Sequence, residues 1–193
     1  MRAPDAAFAD PRLAVLYDAL HEPRIDLDAY VDIAEEILAR TVVDVGCGTG
    51  SLALRLATLG RNVFGVDPAG ASLDVARAKP DAERVTWVTG DATDLVPTRP
   101  DADLVVMTGN VAQVFVSDDD WTTTLDAVHA ILRPGGWFAF ETRRPEVCDW
   151  ERWNVPATTI TFDLVNHDFE ITEVRDAPDR PGQELVFLAR RRG

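Results

Sequence analysis

Five short apolar runs punctuate the chain: TVVDV (41–45), NVFGV (62–66), RVTWV (84–88), DLVVM (103–107) and GWFAFE (136–141). Most are rich in β-branched or aromatic residues, which is how a strand reads when both faces of its sheet are covered. Helical patterns fill most of the gaps. Residues 51–59 end at Gly60, a suitable C-cap, and 71–79 stop at Pro80. Ser117, followed by Asp118, Asp119 and Asp120, puts a cap and three acids on the first turn of a helix running to Leu132. Strands alternating with helices predict an α/β fold with a doubly wound, mostly parallel sheet.

The two ends depart from this alternation. Residues 10–39 carry two helical patterns, the first with Leu13, Leu16, Tyr17 and Leu20 on one face, the second with Leu27, Tyr30, Val31, Ile33, Ala34, Ile37 and Leu38. At the other end FEITEV (169–174) and ELVFLA (184–189) are separated only by a loop with Pro178, Pro181 and Gly182, so they read as an antiparallel hairpin closing one edge of the sheet. A length of 193 residues suits one domain. We divide it into an N-terminal helical cap (1–39), a core (40–142), a short segment (143–168) and the terminal hairpin (169–193).

Between the first strand and the next helix stand Gly46, Gly48 and Gly50. In such a sheet ligands bind outside the carboxyl ends of the strands where the winding reverses, and glycines there let a ligand touch the main chain. Asp67 ends the second strand, where a carboxylate can accept both hydroxyls of a ribose. Asp91 follows the third, placed to accept an exocyclic amine of adenine, with the main chain of Ala92 beside it. Three strand ends thus aim complementary groups at three parts of one ligand, a nucleoside among them. The dinucleotide fingerprint would put its third glycine at position 51, which is Ser51. Asp44, beside the loop, suits an ammonium or sulfonium and is badly placed for a pyrophosphate.

With these features the sequence resembles the class I S-adenosylmethionine-dependent methyltransferases, through VVDVGCGTG, VFGVDPAGASLDVARAK, VTGDATDL, DLVVMTGNVAQVF and LRPGGWFAFET in the expected order. The resemblance implies a Rossmann-like seven-stranded sheet with the last strand antiparallel, and S-adenosyl-L-methionine as cofactor. By position it implies that Asp44 with Gly46, Cys47, Gly48, Thr49 and Gly50 holds the methionine moiety, that Asp67 beside Pro68 holds the ribose, and that Asp91 and Ala92 contact the adenine. Thr108, Gly109 and Asn110 resemble the segment facing the sulfonium, with Gln113 lining the same pocket, and Tyr17 resembles the tyrosine laid over the cofactor from the N-terminal helix. Relatives with a passage like FETRRPEVCDWERW insert a substrate-covering segment that is abbreviated here, so the acceptor is large or a second subunit completes the site, and a homodimer is one expectation.

The implied reaction is methyl transfer to a small-molecule acceptor by in-line displacement. A dedicated catalytic residue is not required; the candidates are His21, Tyr17 and Glu141, while His129 and His167 read as structural. Arg143 is divided between substrate contact and surface pairing, and Trp150 and Trp153 between an apolar wall and core packing. A formal charge of −14, from 33 acids against 19 bases, disfavours nucleic acid and anionic membrane as partners. Cys47 and Cys148 are too few for a disulfide framework and sit at no metal-ligand spacing, so no metal is assigned. With no apolar N-terminal stretch and no membrane span, a cytoplasmic protein is expected. The alternative function is a non-catalytic protein that binds S-adenosylmethionine or S-adenosylhomocysteine, and beyond it a nicotinamide-dependent oxidoreductase.

Overall fold

The apolar runs form β1 (Thr41–Val45), β2 (Asn62–Asp67), β3 (Val85–Thr89), β4 (Ala102–Met107) and β5 (Leu132–Arg143), joined at one edge by β6 (Phe169–Asp176) and β7 (Glu184–Arg191). The computed structural model describes residues 4–21, 23–98, 100–143 and 163–192. The strands make a single seven-stranded sheet in the order β3-β2-β1-β4-β5-β7-β6. The pairs from β3 across to β5 are parallel, and β7 runs antiparallel to both β5 and β6. The edge hairpin and the reversed last strand are as expected.

Side chains along a strand alternate between faces, and both faces are buried here. Val42, Leu104, Val106 and Ala139 pack with α4 (Asp28–Glu36) and α5 (Ser51–Thr58) on one side. Val43, Val105, Met107, Phe138 and Phe140 pack with Trp121, Leu125, Val128 and Ile131 of α8 (Asp118–Ile131) on the other. Ser117 caps α8, its Oγ accepting the amide of Asp120 at 3.1 Å, as its sequence pattern requires.

Two expectations need correction. The first helical pattern of 10–39 is not one amphipathic helix: the chain forms α1 (Ala6–Ala9), α2 (Pro11–Ala14) and α3 (Tyr17–His21), three short pieces before α4. Leu13, Leu16 and Leu20 are exposed, while Ala14 is buried. Second, β5 begins at Leu132, not at 136, because Leu132 pairs with Ala102 before a register shift that resumes at Leu104 and Trp137; the extra residues bulge out of the ladder. Asp91 is followed by a short helix, α7 (Ala92–Leu95). Trp150, Trp153, Cys148 and most of the segment expected to be abbreviated lie outside the described residues. Among the described residues, no helix is long and apolar enough to cross a membrane.

Candidate functional site

The chain winds outward from β1 through β2 to β3 and returns at β4, so β1 and β4 are neighbours whose carboxyl ends open a crevice. Their following loops are nested against each other. A Cβ on Gly46 would stand 2.4 Å from Cγ2 of Val111, and Gly46 has φ +75°, a conformation other residues rarely take. The amides of Gly46 and Cys47 both donate to the Val66 carbonyl, at 2.8 and 3.2 Å, which ties the loop to β2. Gly50 is confined by Trp87, whose Cη2 would lie 2.4 Å from an added Cβ. Gly48 and Gly109 are different: both have positive φ, and nothing lies within 4 Å of where their Cβ atoms would be.

Two buried carboxylates flank this loop. Asp67 accepts the Gly48 amide on Oδ2 at 2.8 Å and the Ala69 amide on Oδ1 at 2.7 Å. Burial raises its pKa while those two amides hold it down. Asp44 is 1% exposed and its Oδ1 has no hydrogen-bond partner. Burial, and after it the charge of Asp67, raise its pKa to about 7, against the pull of Arg24 and the Ala53 amide. The buried Cys47 thiol is pushed up chiefly by burial too, and it fills the space behind Gly65, in the manner of a small packing residue. Asp91 caps α7: Oδ1 accepts the amide and hydroxyl of Thr93, and the Asp91 amide donates to Asp94 Oδ2 at 2.8 Å. Ala92 beside it is buried.

On the β4 side Thr108 is buried, and Asn110 has φ +64° with its Oδ1 buried and unpartnered. Gln113 closes a 3-10 turn by donating its amide to the Asn110 carbonyl at 2.9 Å. Glu141, at the end of β5, holds this turn in place. Its Oε1 accepts the Asn110 amide at 2.9 Å and its Oε2 the Tyr30 hydroxyl at 2.8 Å, and it is 2% exposed. Glu141 thus positions the Asn110 turn through Oε1 while Oε2 is tied to Tyr30.

The N-terminal arm closes onto the glycine loop through a residue that no motif marks. Asp18 Oδ1 accepts Thr49 Oγ1 at 2.6 Å and Ser51 Oγ at 3.3 Å, and Oδ2 meets Lys79 Nζ at 2.5 Å. Tyr17, beside it, is half-buried and stacks on His21 with ring centroids 4.2 Å apart; burial raises its pKa, against the opposing charge of Arg24. His21 is exposed, its Nδ1 2.7 Å from the Tyr17 carbonyl. His129 and His167 sit away from the crevice: His129 receives Arg191 Nε at 3.1 Å near the end of β7, and His167 lies against Asp126 and the Asp163 carbonyl. Asp18, Lys79, Arg24 and Tyr30 are the residues that sequence reasoning missed as parts of the site.

Around one crevice the protein therefore leaves two buried oxygens, on Asp44 and Asn110, without donors and two stretches of main chain without side-chain cover. That arrangement fits a ligand carrying a charged N–H group and lying flat on the backbone. Among the described residues, no cluster of His, Cys, Asp and Glu is disposed to hold a metal ion.

Comparisons with known proteins bear on the family and the fold. A family model described as a methyltransferase domain matches residues 42–136. The chain is 30% identical over 173 residues to the cypemycin N-terminal methyltransferase of a Streptomyces species, covering 90% of this chain and 69% of that protein. It is 28% identical over 127 residues to a ubiquinone biosynthesis O-methyltransferase of Paraburkholderia phymatum, covering 65% of this chain and 54% of that one, so it spans little more than half of this relative's length. The CcbJ methyltransferase of Streptomyces caelestis has the same fold, with a TM-score of 0.81 over 98% of this chain and 100% of that chain at 18% identity.

Proposed function

Since the chain belongs to the class I S-adenosylmethionine-dependent methyltransferases, we propose that it methylates a small-molecule acceptor in the crevice between the β1 and β4 loops. In this reading Asp44 takes the ammonium of the methionine moiety, Gly46 to Gly50 carry its backbone, Asp67 beside Pro68 takes the ribose, and Asp91 with Ala92 takes the adenine. Thr108, Gly109, Asn110 and Gln113 border the reacting side, with Tyr17 over the top. The observation that carries this reading is the buried, unpartnered Oδ1 of Asp44 next to bare main chain at Gly48. A fully buried acceptor without a donor costs about 1–3 kcal/mol, and an incoming ammonium removes that cost.

Bound S-adenosylmethionine supplies an electrophilic methyl carbon together with its own leaving group. The protein's work is then alignment and exclusion of water. Asn110, fixed by Glu141, borders the place where the nucleophile must stand, and its free Oδ1 can accept a hydrogen bond from an amine or hydroxyl. An amine that arrives neutral needs no base, in keeping with a crevice where Glu141 is engaged and His21 lies exposed. The relative that acts at the N-terminus of cypemycin supports an amine acceptor, and the formal charge of −14 supports a neutral or cationic one over nucleic acid. The same reading puts the protein in the cytoplasm, as a monomer or a homodimer.

The test is calorimetry with S-adenosylhomocysteine, followed by mass spectrometry of a small-metabolite extract incubated with S-adenosylmethionine. Binding, and mass gains of one methyl group, are expected. Asp67→Ala should weaken binding at least tenfold, as expected from losing charge-assisted bonds of about 1.5–3 kcal/mol. Absence of binding to either adenosyl compound would overturn the reading, and binding without a methylated product across a broad metabolite panel would favour a non-catalytic binding protein.

A further inference from the structure

The edge of the sheet opposite the crevice, where β1, β2, β4 and β5 begin and β7 ends, carries a surface with no assigned role. α4 and α5 both end there in the same kind of turn. The Leu38 and Ala39 amides donate to the Glu35 and Ala34 carbonyls at 3.0 and 2.9 Å, and the Gly60 and Arg61 amides to the Ala57 and Leu56 carbonyls at 3.0 and 3.3 Å. The residue after the helix cap must turn left-handed in such a motif, and after α5 a glycine fills it, Gly60 at φ +87°. After α4 it is Leu38, at φ +55° and 82% exposed. Helical spacing places Leu38 on the buried stripe of α4, yet the turn projects it into solvent. A leucine held in that conformation is strained, and no burial offsets the strain, so its use lies outside the fold.

The Asn62 amide donates to the Arg40 carbonyl at 2.8 Å, which sets the two turns side by side, and the second of them carries Leu59, 50% exposed. Asp103 links these turns to β5: Oδ2 accepts the Arg40 and Thr41 amides at 2.8 and 2.9 Å, and Oδ1 accepts Arg133 Nε at 2.6 Å. Arg133 Nη1 and Arg190 Nη2 both approach Gly135, 3.9 and 3.4 Å from where a Cβ would stand. The Arg190 guanidinium lies 5.7 Å from the ring centre of the half-buried Trp137. In a chain with 33 acids against 19 bases, Arg40, Arg61 and Arg190 are in no ion pair among the described residues, whereas Arg12, Arg55 and Arg175, on other surfaces, each hold a carboxylate. Glu170 stands opposite Arg190 in the β6–β7 register but does not pair with it. Arg61 Nε is buried without an acceptor. Arginines that follow α4 and α5 offset the negative ends of those helices, but that role calls for no exposed leucine.

We propose that this edge is a docking surface for an acidic segment of another protein, whose carboxylates meet Arg40, Arg61 and Arg190 while its apolar side chains meet Leu38, Leu59 and Trp137. Arginine grips a carboxylate through paired N–H groups, and exposed leucine beside tryptophan offers apolar contact that a peptide can answer and a phosphate backbone cannot. The net charge of −14 repels a long polyanion at a distance, whereas a short acidic segment meets the arginines within a Debye length. Arg61 at the start of β2 and Arg190 on β7 are separated by the width of β1, β4 and β5. At the usual strand spacing that is about 19 Å, which an extended segment of about six residues spans.

The test is fluorescence anisotropy of the full chain with a labelled peptide of about eight residues, glutamates interleaved with leucines. Wild-type protein should bind it, should bind a peptide with lysine in place of glutamate at least tenfold more weakly, and should lose affinity as salt is raised. Arg40→Glu, Arg61→Glu and Arg190→Glu should each weaken binding about tenfold. Leu38→Gly should weaken it several-fold while keeping or raising Tm, because glycine relieves the left-handed strain; a leucine that served only the fold would lower Tm when removed. Circular dichroism shows that each variant is folded. No binding of the peptide, or binding indifferent to these substitutions, would overturn the proposal. Tighter binding of an oligothymidine of equal charge would overturn it too, in favour of a nucleic-acid surface, and so would self-association of the wild-type protein that Arg40→Glu abolishes, in favour of a contact between copies of this chain.

Discussion

Asp18 accepts a hydrogen bond from Thr49 at 2.6 Å, and that contact ties the N-terminal arm to the glycine loop across 31 residues of sequence. The same carboxylate holds Lys79 of the segment after α6 (Gly70–Ala78) at 2.5 Å. Because the helices of the arm have only four, four and five residues, they are too short to persist alone and depend on such tertiary ties.

Lys79→Ala should therefore release the arm and spare the sheet. Losing a partly buried ion pair supported by hydroxyls should cost about 1 kcal/mol, which lowers Tm by about 2–4 °C in a chain of this size. Hydrogen exchange should accelerate in 6–21 and hardly change in β1 to β5. Although burial opposes it, the contacts with Lys79, Thr49 and Ser51 hold the Asp18 pKa below its ordinary value of 3.8. A depressed carboxylate pKa contributes stability that is present above pH 3.8 and is lost as pH falls through the lower folded value. At neutral pH the latch is therefore at full strength, and protection of the arm that is insensitive to Lys79→Ala would rule it out.

Asp44 has the opposite sign. Burial, then Asp67, raise its pKa from 3.8 to about 7, so the free protein binds a proton there that the unfolded chain releases. Its contribution to stability is full below pH 3.8 and declines as pH rises to about 7. Ligand binding runs the other way, because an ammonium requires the carboxylate. Affinity for S-adenosylhomocysteine should rise with pH, by up to about tenfold per unit below pH 7, and level off above it. Asp44→Asn should flatten that profile; a pH dependence that survives the substitution belongs to another group.

The strand ends that frame this candidate site were legible in the sequence, and the reason is local. Continuous apolar runs such as 103–107 mark strands buried on both faces, and Gly46, Asp67 and Asp91 follow directly from strand ends, so finding the strands finds them. What stayed hidden depends on contacts distant in sequence. Tyr30 meets Glu141 across 111 positions, and Asp18 meets Lys79 through folding alone. The arm misled for a related reason: Leu13, Leu16 and Leu20 have helical spacing, yet spacing does not show that α2 stops at Ala14 and that the stripe then faces outward. Arg24 belongs to no motif, and its charge bears on Asp44 only through the fold.

The glycines can be separated by two substitutions. Gly50→Ala meets both a strained φ of +78° and an approach of 2.4 Å to the Trp87 ring, so it should destabilise by more than about 2 kcal/mol, the sum of left-handed strain and overpacking. Gly48→Ala meets no atom within 4 Å and carries only backbone strain of about 1–2 kcal/mol. In the proposed binding mode, however, its added methyl group meets the ligand. It should thus remain folded and lose S-adenosylhomocysteine affinity by tenfold or more. Denaturant titration and calorimetry together check the pair, and a Gly48→Ala protein with normal affinity would place the ligand elsewhere.

Glu141 offers the last separation, between holding the site and doing chemistry in it. Tyr30→Phe removes the hydroxyl that donates to Oε2, leaving a carboxylate oxygen buried at the end of β5 without its partner. The expected cost is about 1–3 kcal/mol of stability, and the Asn110 turn, which hangs from Oε1 of the same carboxylate, should loosen with it. Glu141→Gln keeps the shape and removes the charge, so it should weaken the grip on the Asn110 amide in the same direction. If Glu141 only positions Asn110, both variants should lower turnover through a poorer alignment and leave the pH profile of turnover unchanged in shape. A base would behave differently: its amide variant would abolish the rising limb of that profile while Tyr30→Phe merely shifted it, and that outcome would restore Glu141 to the reaction itself.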